Sequence, residues 1–246
     1  MSTYFDKFEI IPYRFGNEAQ PAFFQNIGNY VDVIDQIKDQ ITFYSDYFIF
    51  DGERPDQVAY KVYGEVNPYF TFFLLNDNIR ERGWPLTQRS LDKKVKTDYP
   101  NRTLTTKASL TGLFLPGQLV TGQSSGATGI VKRRRLELGQ LIVKPTNDST
   151  FLGNELVISN HPTTGALQTI TLSGSAFEYL AVRHYVDGDL NQVDVDPALD
   201  PPGTLTPVLF SEYYKEENDS LRQIKIVKPS AINSVMNAFR KALTGG

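Results

Sequence analysis

A chain of 246 residues with 25 Lys plus Arg against 28 Asp plus Glu can bury at least one sizeable core, and its near charge balance removes the electrostatic case for wrapping nucleic acid. The absence of cysteine excludes a disulfide framework, thiolate metal sites and a cysteine nucleophile. No apolar run approaches the roughly 20 residues of a membrane-spanning helix, and Ser2 to Phe15 is charged and aromatic rather than a signal sequence, so synthesis in a cytoplasm is expected.

Aromatic residues crowd the first fifth of the chain, among them Tyr4, Phe5, Phe8, Tyr13, Phe23, Phe24, Phe48 and Phe50. Most are expected in a core. So short a segment has little volume behind it, so some rings are expected to bury against another chain, and the first dozen residues read as an arm docking on a partner. Val33, Ile34, Ile37 and Ile41 have helical spacing with acids and a lysine between them. Tyr44 to Phe50 reads as a strand turning at Asp51-Gly52. Pro55 then suits a first helical position, Val58, Ala59 and Val62 fall on one face, and Gly64 sits where a left-handed cap belongs. A second short helix is expected to be capped by Asn67 and opened by Pro68, with Phe70, Phe72, Phe73 and Leu74 apolar, and to end at Asn76. With Trp84-Pro85-Leu86 behind it, residues 45–86 form a helix-turn-helix unit between two short strands, following an N-terminal arm and helix over 1–44.

Thr87 to Arg102 is polar and charged, with Ser90 or Asp92 able to cap a short helix, and is expected to be a connector over 87–105. The stretch 106–175 is rich in Gly, Thr, Val, Leu and Ile with frequent turn signals, which predicts an inserted small barrel or sandwich. It contains an echo: Phe114-Leu115-Pro116-Gly117-Gln118-Leu119-Val120 before Ser125-Gly126-Ala127, and Phe151-Leu152-Gly153-Asn154-Glu155-Leu156-Val157 before Thr164-Gly165-Ala166. Two related hairpins explain it, each with Gly-Ala at the turn. Gly122 to Gly129 superficially resembles a phosphate loop but lacks the Gly-Lys-Ser/Thr ending, and Ile130-Val131 continues as a strand, so a hairpin is expected. Lys132-Arg133-Arg134-Arg135 is the densest positive charge; without interleaved aromatics it reads as a strand end meeting an acidic protein neighbour rather than nucleic acid.

Residues 176–228 form a return segment. Asp187, Asp189, Asn191, Asp194 and Asp196 have calcium-loop spacing, but Gln192 and Ala198 stand at the Gly and Glu positions, so a polar loop is expected. His161 in a turn and His184 on a strand have no triad motif around them, and no pair of acids is set at a catalytic spacing, so no enzyme, metal or cofactor is expected. Arg222 to Val227 alternates as a strand with Ile224 and Ile226 on one face. Over 229–246, Pro229 and Ser230 open a helix whose apolar stripe includes Ile232, Val235, Met236 and Phe239, either as internal core or as a partner-docking face. Arg240 and Lys241 suit its last turn and Thr244-Gly245-Gly246 reads as a tail.

The string Asp-Gly-Glu-Arg-Pro-Asp-Gln-Val-Ala-Tyr-Lys-Val-Tyr-Gly at 51–64 carries a resemblance together with Asn67-Pro68, Asn76-Asp77-Asn78-Ile79 and Trp84-Pro85-Leu86. With Tyr4-Phe5 and Phe8, then Glu216-Glu217-Asn218 and Arg222 to Pro229, it resembles the LysM-containing baseplate wedge subunit family of contractile-tailed, T-even-like bacteriophages. The resemblance covers residues 1 to about 100 and about 208 to 246. It implies an α+β fold with a LysM-like strand-helix-helix-strand core, an inserted all-β module and a C-terminal amphipathic helix. It further implies a non-enzymatic virion protein in six equivalent positions around the tail, binding other wedge subunits, with sheath-initiating or hub proteins as further partners and neither nucleic acid nor membrane among them. The expected contact residues are Tyr4, Phe5, Phe8, Trp84, Pro85, Leu86, Arg133, Arg134, Arg135, Ile232, Val235, Met236 and Phe239. The competing reading is a LysM-type peptidoglycan-binding module.

Overall fold

The computed structural model describes residues 10–14, 16, 20–25 and 44–243, with side chains through Phe239. The arm residues Tyr4, Phe5 and Phe8, the helix expected from Val33 to Ile41, the side chains of Arg240 and Lys241 and the tail 244–246 lie outside the described residues. In chain order come β1 (Ile10–Tyr13), β2 (Ala22–Gln25), β3 (Tyr44–Phe48), α1 (Pro55–Tyr63), α2 (Phe70–Leu75), α3 (Asp77–Arg82) and α4 (Gln88–Asp98). Strands follow as β4 (Arg102–Thr105), β5 (Leu119–Gly122), β6 (Thr128–Arg135), β7 (Gln140–Pro145), β8 (Leu156–Asn160) and β9 (Leu167–Thr171). The chain ends with β10 (Gly174–Phe177), β11 (Val182–Val186), β12 (Gln192–Val193), β13 (Thr206–Leu209), α5 (Phe210–Ser220), β14 (Gln223–Val227) and α6 (Ile232–Leu243). This is a mixed α+β chain whose described strands all pair antiparallel. It divides into unit 1, residues 1–87 with 218–246, and unit 2, residues 88–217.

In unit 1 the local signals at α1 act as the sequence suggests. Pro55 opens the helix, the Gln57 side chain accepts from the Arg54 N–H at 3.1 Å, and Gly64 at φ 74° donates back to the Tyr60 carbonyl at 2.9 Å. Its buried face, Val58 and Ala59, joins Ile49, Phe72, Ile79, Leu221, Ile224 and Ile226 in one core. Asn67 differs from expectation. It begins a single 3₁₀ turn, Asn67–Tyr69, that runs straight into α2, and Pro68 is buried rather than capped over.

The partner of β3 is not near Trp84. The expected closing strand there is replaced by β14, which pairs with β3 from Gln223↔Phe48 to Val227↔Tyr44. The backbone around Trp84-Pro85-Leu86 has other uses: Pro85 has no N–H to give, and the Leu86 N–H is taken by the Asn218 side chain at 2.7 Å. Asn76 fixes β14 in place. Its amide donates to the Phe72 carbonyl at 2.8 Å and the Lys225 carbonyl at 2.8 Å while accepting from the Lys225 N–H at 2.7 Å. One side chain thus ends α2 and pairs with a strand as another strand would.

Beyond β14 the helix starts later than Pro229. A turn with Ala231 N–H donating to the Lys228 carbonyl intervenes, and α6 begins at Ile232. Ile232 and Ala231 pack on Val227 with Val235 and Met236 against them, and the Phe239 ring lies 4.8 Å from that of Phe70.

Unit 2 is built on a seven-stranded sheet in the order β10-β4-β7-β6-β5-β8-β9. The strands at its two edges, β9 and β10, are consecutive and joined by only Leu172 and Ser173. Two residues reach about 7 Å, so the edges must meet and the sheet curls on itself as a small barrel. At that joint Leu172 N–H donates to the Glu155 carbonyl, extending the β9–β8 pairing, and Ser173 N–H to the Thr105 carbonyl, extending the β10–β4 pairing. Phe114, Val120, Val131, Leu141, Val143, Val157 and Leu172 fill the interior.

The internal echo is a physical repeat. Phe114 and Phe151 are both buried, as are Val120 and Val157. Gly117 and Asn154 both take left-handed backbone, at φ 92° and φ 63°. Gln118 and Glu155 each accept through a side-chain oxygen from the N–H three residues earlier, on Leu115 and Leu152. The strands that follow, β5 and β8, pair with each other. Gly126 and Gly165 both turn their hairpins at positive φ.

The expected connector, 87–105, is structured: α4 buries Leu91 and Val95, and β4 is an inner strand of the barrel sheet. Downstream, β12-β11-β13 form a separate three-stranded sheet, and α5 carries the chain back into unit 1.

Candidate interaction surfaces

Several expected contact residues are spent inside their own unit. Trp84 stacks 6.0 Å from Phe72 and 5.9 Å from Phe73, and its indole N–H donates to the Glu53 carbonyl at 2.7 Å. Pro85 is buried, and Leu86 is tied through both its N–H and its carbonyl to Asn218. Ile232 and Phe239 are buried, with Val235 and Met236 half-buried beside Ile232. The α6 stripe therefore packs on its own unit.

The three arginines of β6 are also engaged in unit 2. Arg133 pairs with the carboxylate of Glu178, which is only 2% exposed and also accepts from the Asn101 side chain at 2.7 Å. Arg134 donates to the Leu110 and Leu113 carbonyls at 2.9 and 2.7 Å. Arg135 reaches Glu137 at 3.1 Å and the Arg183 carbonyl at 2.6 Å. The acidic neighbours expected of another protein are in part supplied by this chain, through Glu178 and Glu137.

Large apolar side chains do stand in solvent elsewhere in unit 1. On the β1–β2 hairpin, Phe23 is 70% exposed and Ile10 64%, with Tyr13 and Phe24 also exposed. Among the described residues β1 and β2 pair only with each other, and their exposed rings form an apolar patch. A second group surrounds the start of α1, where Phe48 and Phe50 meet edge to face at 5.7 Å and Tyr60 is exposed. Composition marked the aromatics of this region as a set; it did not say which stay outside, because that depends on which face of the β3–β14 pair packs against the core with Val58 and Phe72.

Beside that second group, Lys61 lies 2.9 Å from Glu53 and 5.1 Å from the Phe50 ring centre, and the Tyr47 hydroxyl donates to Glu53 at 3.0 Å. Partial burial alone would raise the Glu53 carboxyl, but hydrogen bonds from Lys61, the Phe50 N–H and Tyr47 outweigh it and hold the group below its ordinary value of 4.5. A carboxyl lowered in the folded state contributes stability above its unfolded value and loses it as pH falls through the folded value. Glu53→Gln is accordingly expected to melt below the parent chain at neutral pH and to converge with it well below pH 4.5; parallel melting curves across that range would show that the network contributes nothing.

The Asp-rich loop satisfies itself. Asp187 accepts from the backbone N–H groups of Asp189 and Asn191, both at 2.9 Å. Among the described residues no group of three or more His, Cys, Asp or Glu side chains converges to hold a metal ion. His161 accepts from Thr163 and Thr164 within its turn, and His184 faces the Tyr213 ring. No helix of the described residues is long and apolar enough to cross a membrane.

These features define a mixed α+β protein with an apolar hairpin on its surface and an inserted β-barrel unit. Residues 1–101 match the family described as Base plate wedge protein 53, which ties this part of the chain to a phage baseplate wedge family. The match runs from residue 1 through the hairpin and α4 and stops at Asn101, so β14 and α6 of unit 1 and most of unit 2 lie outside it. No curated protein matches the chain.

Proposed function

We propose that this chain is a non-enzymatic structural subunit of the baseplate wedge of a contractile phage tail, joining wedge proteins and adjacent wedges into a ring. The observation that supports it best is the exposed apolar hairpin of Ile10, Tyr13, Phe23 and Phe24, within the residues that match the wedge family. Aromatic anchors of this kind dominate protein interfaces once desolvated. A LysM-like core is supported by the order β3, α1, α2, β14, with the short α3 after α2 and the last strand following unit 2 in the chain. Its exposed Phe48, Phe50 and Tyr60 lie near the Lys61–Glu53 pair, a surface suited to protein contact with a charged rim.

The test is co-purification of the tagged chain from infected cells, with a parallel peptidoglycan pull-down. Recovery of baseplate proteins without wall retention supports the reading; wall retention without tail proteins replaces it with sugar recognition. Phe23→Asp is expected to leave the melting temperature within about 2 °C, as surface substitutions do, while cutting incorporation into tails about tenfold. Normal incorporation of that variant would remove the hairpin from the interface.

A further inference from the structure

Unit 2 holds an open pocket of about 350 Å³ whose lining combines Arg133, Arg135, Arg183 and His184 with the rings of Tyr99 and Phe210. Its positive charge is matched only in part from within, by Glu178 at Arg133 and Glu137 at Arg135. Arg133 gives one nitrogen to Glu178 and leaves half of its side chain exposed. Among the described residues Arg183 has no carboxylate within ion-pair distance: its guanidinium lies 3.7 Å from the Tyr213 ring centre and hydrogen-bonds His184 Nδ1 at 2.9 Å. Stacking on Tyr213 fixes the plane of that fork while leaving in-plane N–H groups to donate. Burial lowers the His184 pKa, and Arg183 and Arg135 lower it further against a smaller opposing effect of Glu216, which marks the positive field at this spot.

We propose that this pocket seats a glutamate or aspartate side chain from an acidic segment of a protein partner, its carboxylate held by Arg183 and Arg133. Planar guanidinium groups match a carboxylate through paired N–H donors. The lining is mainly polar, with the Tyr99 and Phe210 rings as its apolar minority, so recognition rests on the carboxylate end of the side chain, and competition with inorganic phosphate separates it from a free anion. A nucleic acid strand fits poorly on a chain of net charge −3, and Arg134 and Arg135 already spend their donors on carbonyls and on Glu137. The pocket residues lie outside residues 1–101 except Tyr99, so this site stands apart from the features that support the wedge reading.

The test uses the full chain and a fluorescein-labelled hexaglutamate peptide, followed by fluorescence anisotropy at low salt. The parent chain is expected to bind, Arg183→Gln to bind about tenfold more weakly, and Lys144→Gln, an exposed charge elsewhere on unit 2, to bind within about twofold of the parent. Unlabelled hexaglutamate should displace the probe, and inorganic phosphate at the same charge concentration should not. If Arg183→Gln does not fold by circular dichroism, Arg183→Lys keeps the charge, loses the fork and is expected to bind several-fold more weakly. Absence of binding by the parent chain, equal binding by the Arg183 variant, or an equal loss in Lys144→Gln overturns the proposal. Displacement by phosphate as readily as by peptide overturns it in favour of a free anion site.

Discussion

Arg222→Met is expected to lower the stability of unit 1 by about 3 kcal/mol, read from the fluorescence of Trp84, the single tryptophan of the chain, partly buried against the core of that unit. The Arg222 side chain is 9% exposed and donates to the Ile49 and Leu86 carbonyls, both at 3.3 Å, and to Asp51 and Asp219, both at 2.9 Å. The two carboxylates are 55% and 69% exposed and return to water when the arginine is removed, so they account for little of the loss. The loss comes from the backbone. Ile49 is buried, and methionine leaves its carbonyl without that donor. The control is Arg54→Ala in the Asp-Gly-Glu-Arg-Pro-Asp string, whose guanidinium pairs with Asp56 while 71% exposed and is expected to matter by no more than about 0.5 kcal/mol. A loss under about 1 kcal/mol for Arg222→Met, or equal losses for the two arginines, would show that the buried fork is not what holds this corner.

Phe239→Ala is expected to cost about 3 kcal/mol, because it empties a buried ring position against Phe70. This separates the two readings of the terminal helix. A docking helix would leave the free chain's stability unchanged and lose assembly, whereas a core helix loses stability first. Deleting 229–246 is likewise expected to destabilise the chain rather than leave a sound fold, since it uncovers Val227, Phe70 and the half-buried Tyr63. Tyr63 adds a polar tie to this corner, with its hydroxyl donating to the Val227 carbonyl at 3.0 Å and burial pushing its pKa up to about 12. Unchanged melting of the truncated chain would return α6 to the surface.

What could be read from the sequence was local. Pro55, Gly64 and the Asp51-Gly52 turn act within a few residues of themselves, so α1 was legible. The echo was legible too, since Phe, Gln or Glu, and Val recur at fixed spacing and each copy repeats the same side-chain-to-backbone hydrogen bond. Pairings across long stretches of chain were not. Nothing near Tyr44 announces that Val227 lies beside it, and Arg222 gives no sign that its partners are Ile49, Asp51 and Leu86. The three arginines of β6 looked available to a partner because the carbonyls and the glutamate that engage them arrive from loops and strands elsewhere in unit 2. The exposed hairpin was half legible: its aromatics were conspicuous, but their exposure is a property of the folded surface.

Asn218 donates to the Leu86 carbonyl at 3.1 Å and accepts from its N–H at 2.7 Å, so the chain leaves unit 1 and re-enters it at one point. This sets an order of events during synthesis. While residues 88–217 are still unstructured, bringing β14 to β3 closes a loop of about 170 residues. Once Leu86 and Asn218 have met, the loop left to close is about 40 residues, shorter by about two doublings, worth roughly 1 kcal/mol. Because β14 is made last, the apolar face of β3, α1 and α2 can be completed only after residues 88–217 have been synthesised, and its closure costs less once Leu86 and Asn218 are joined.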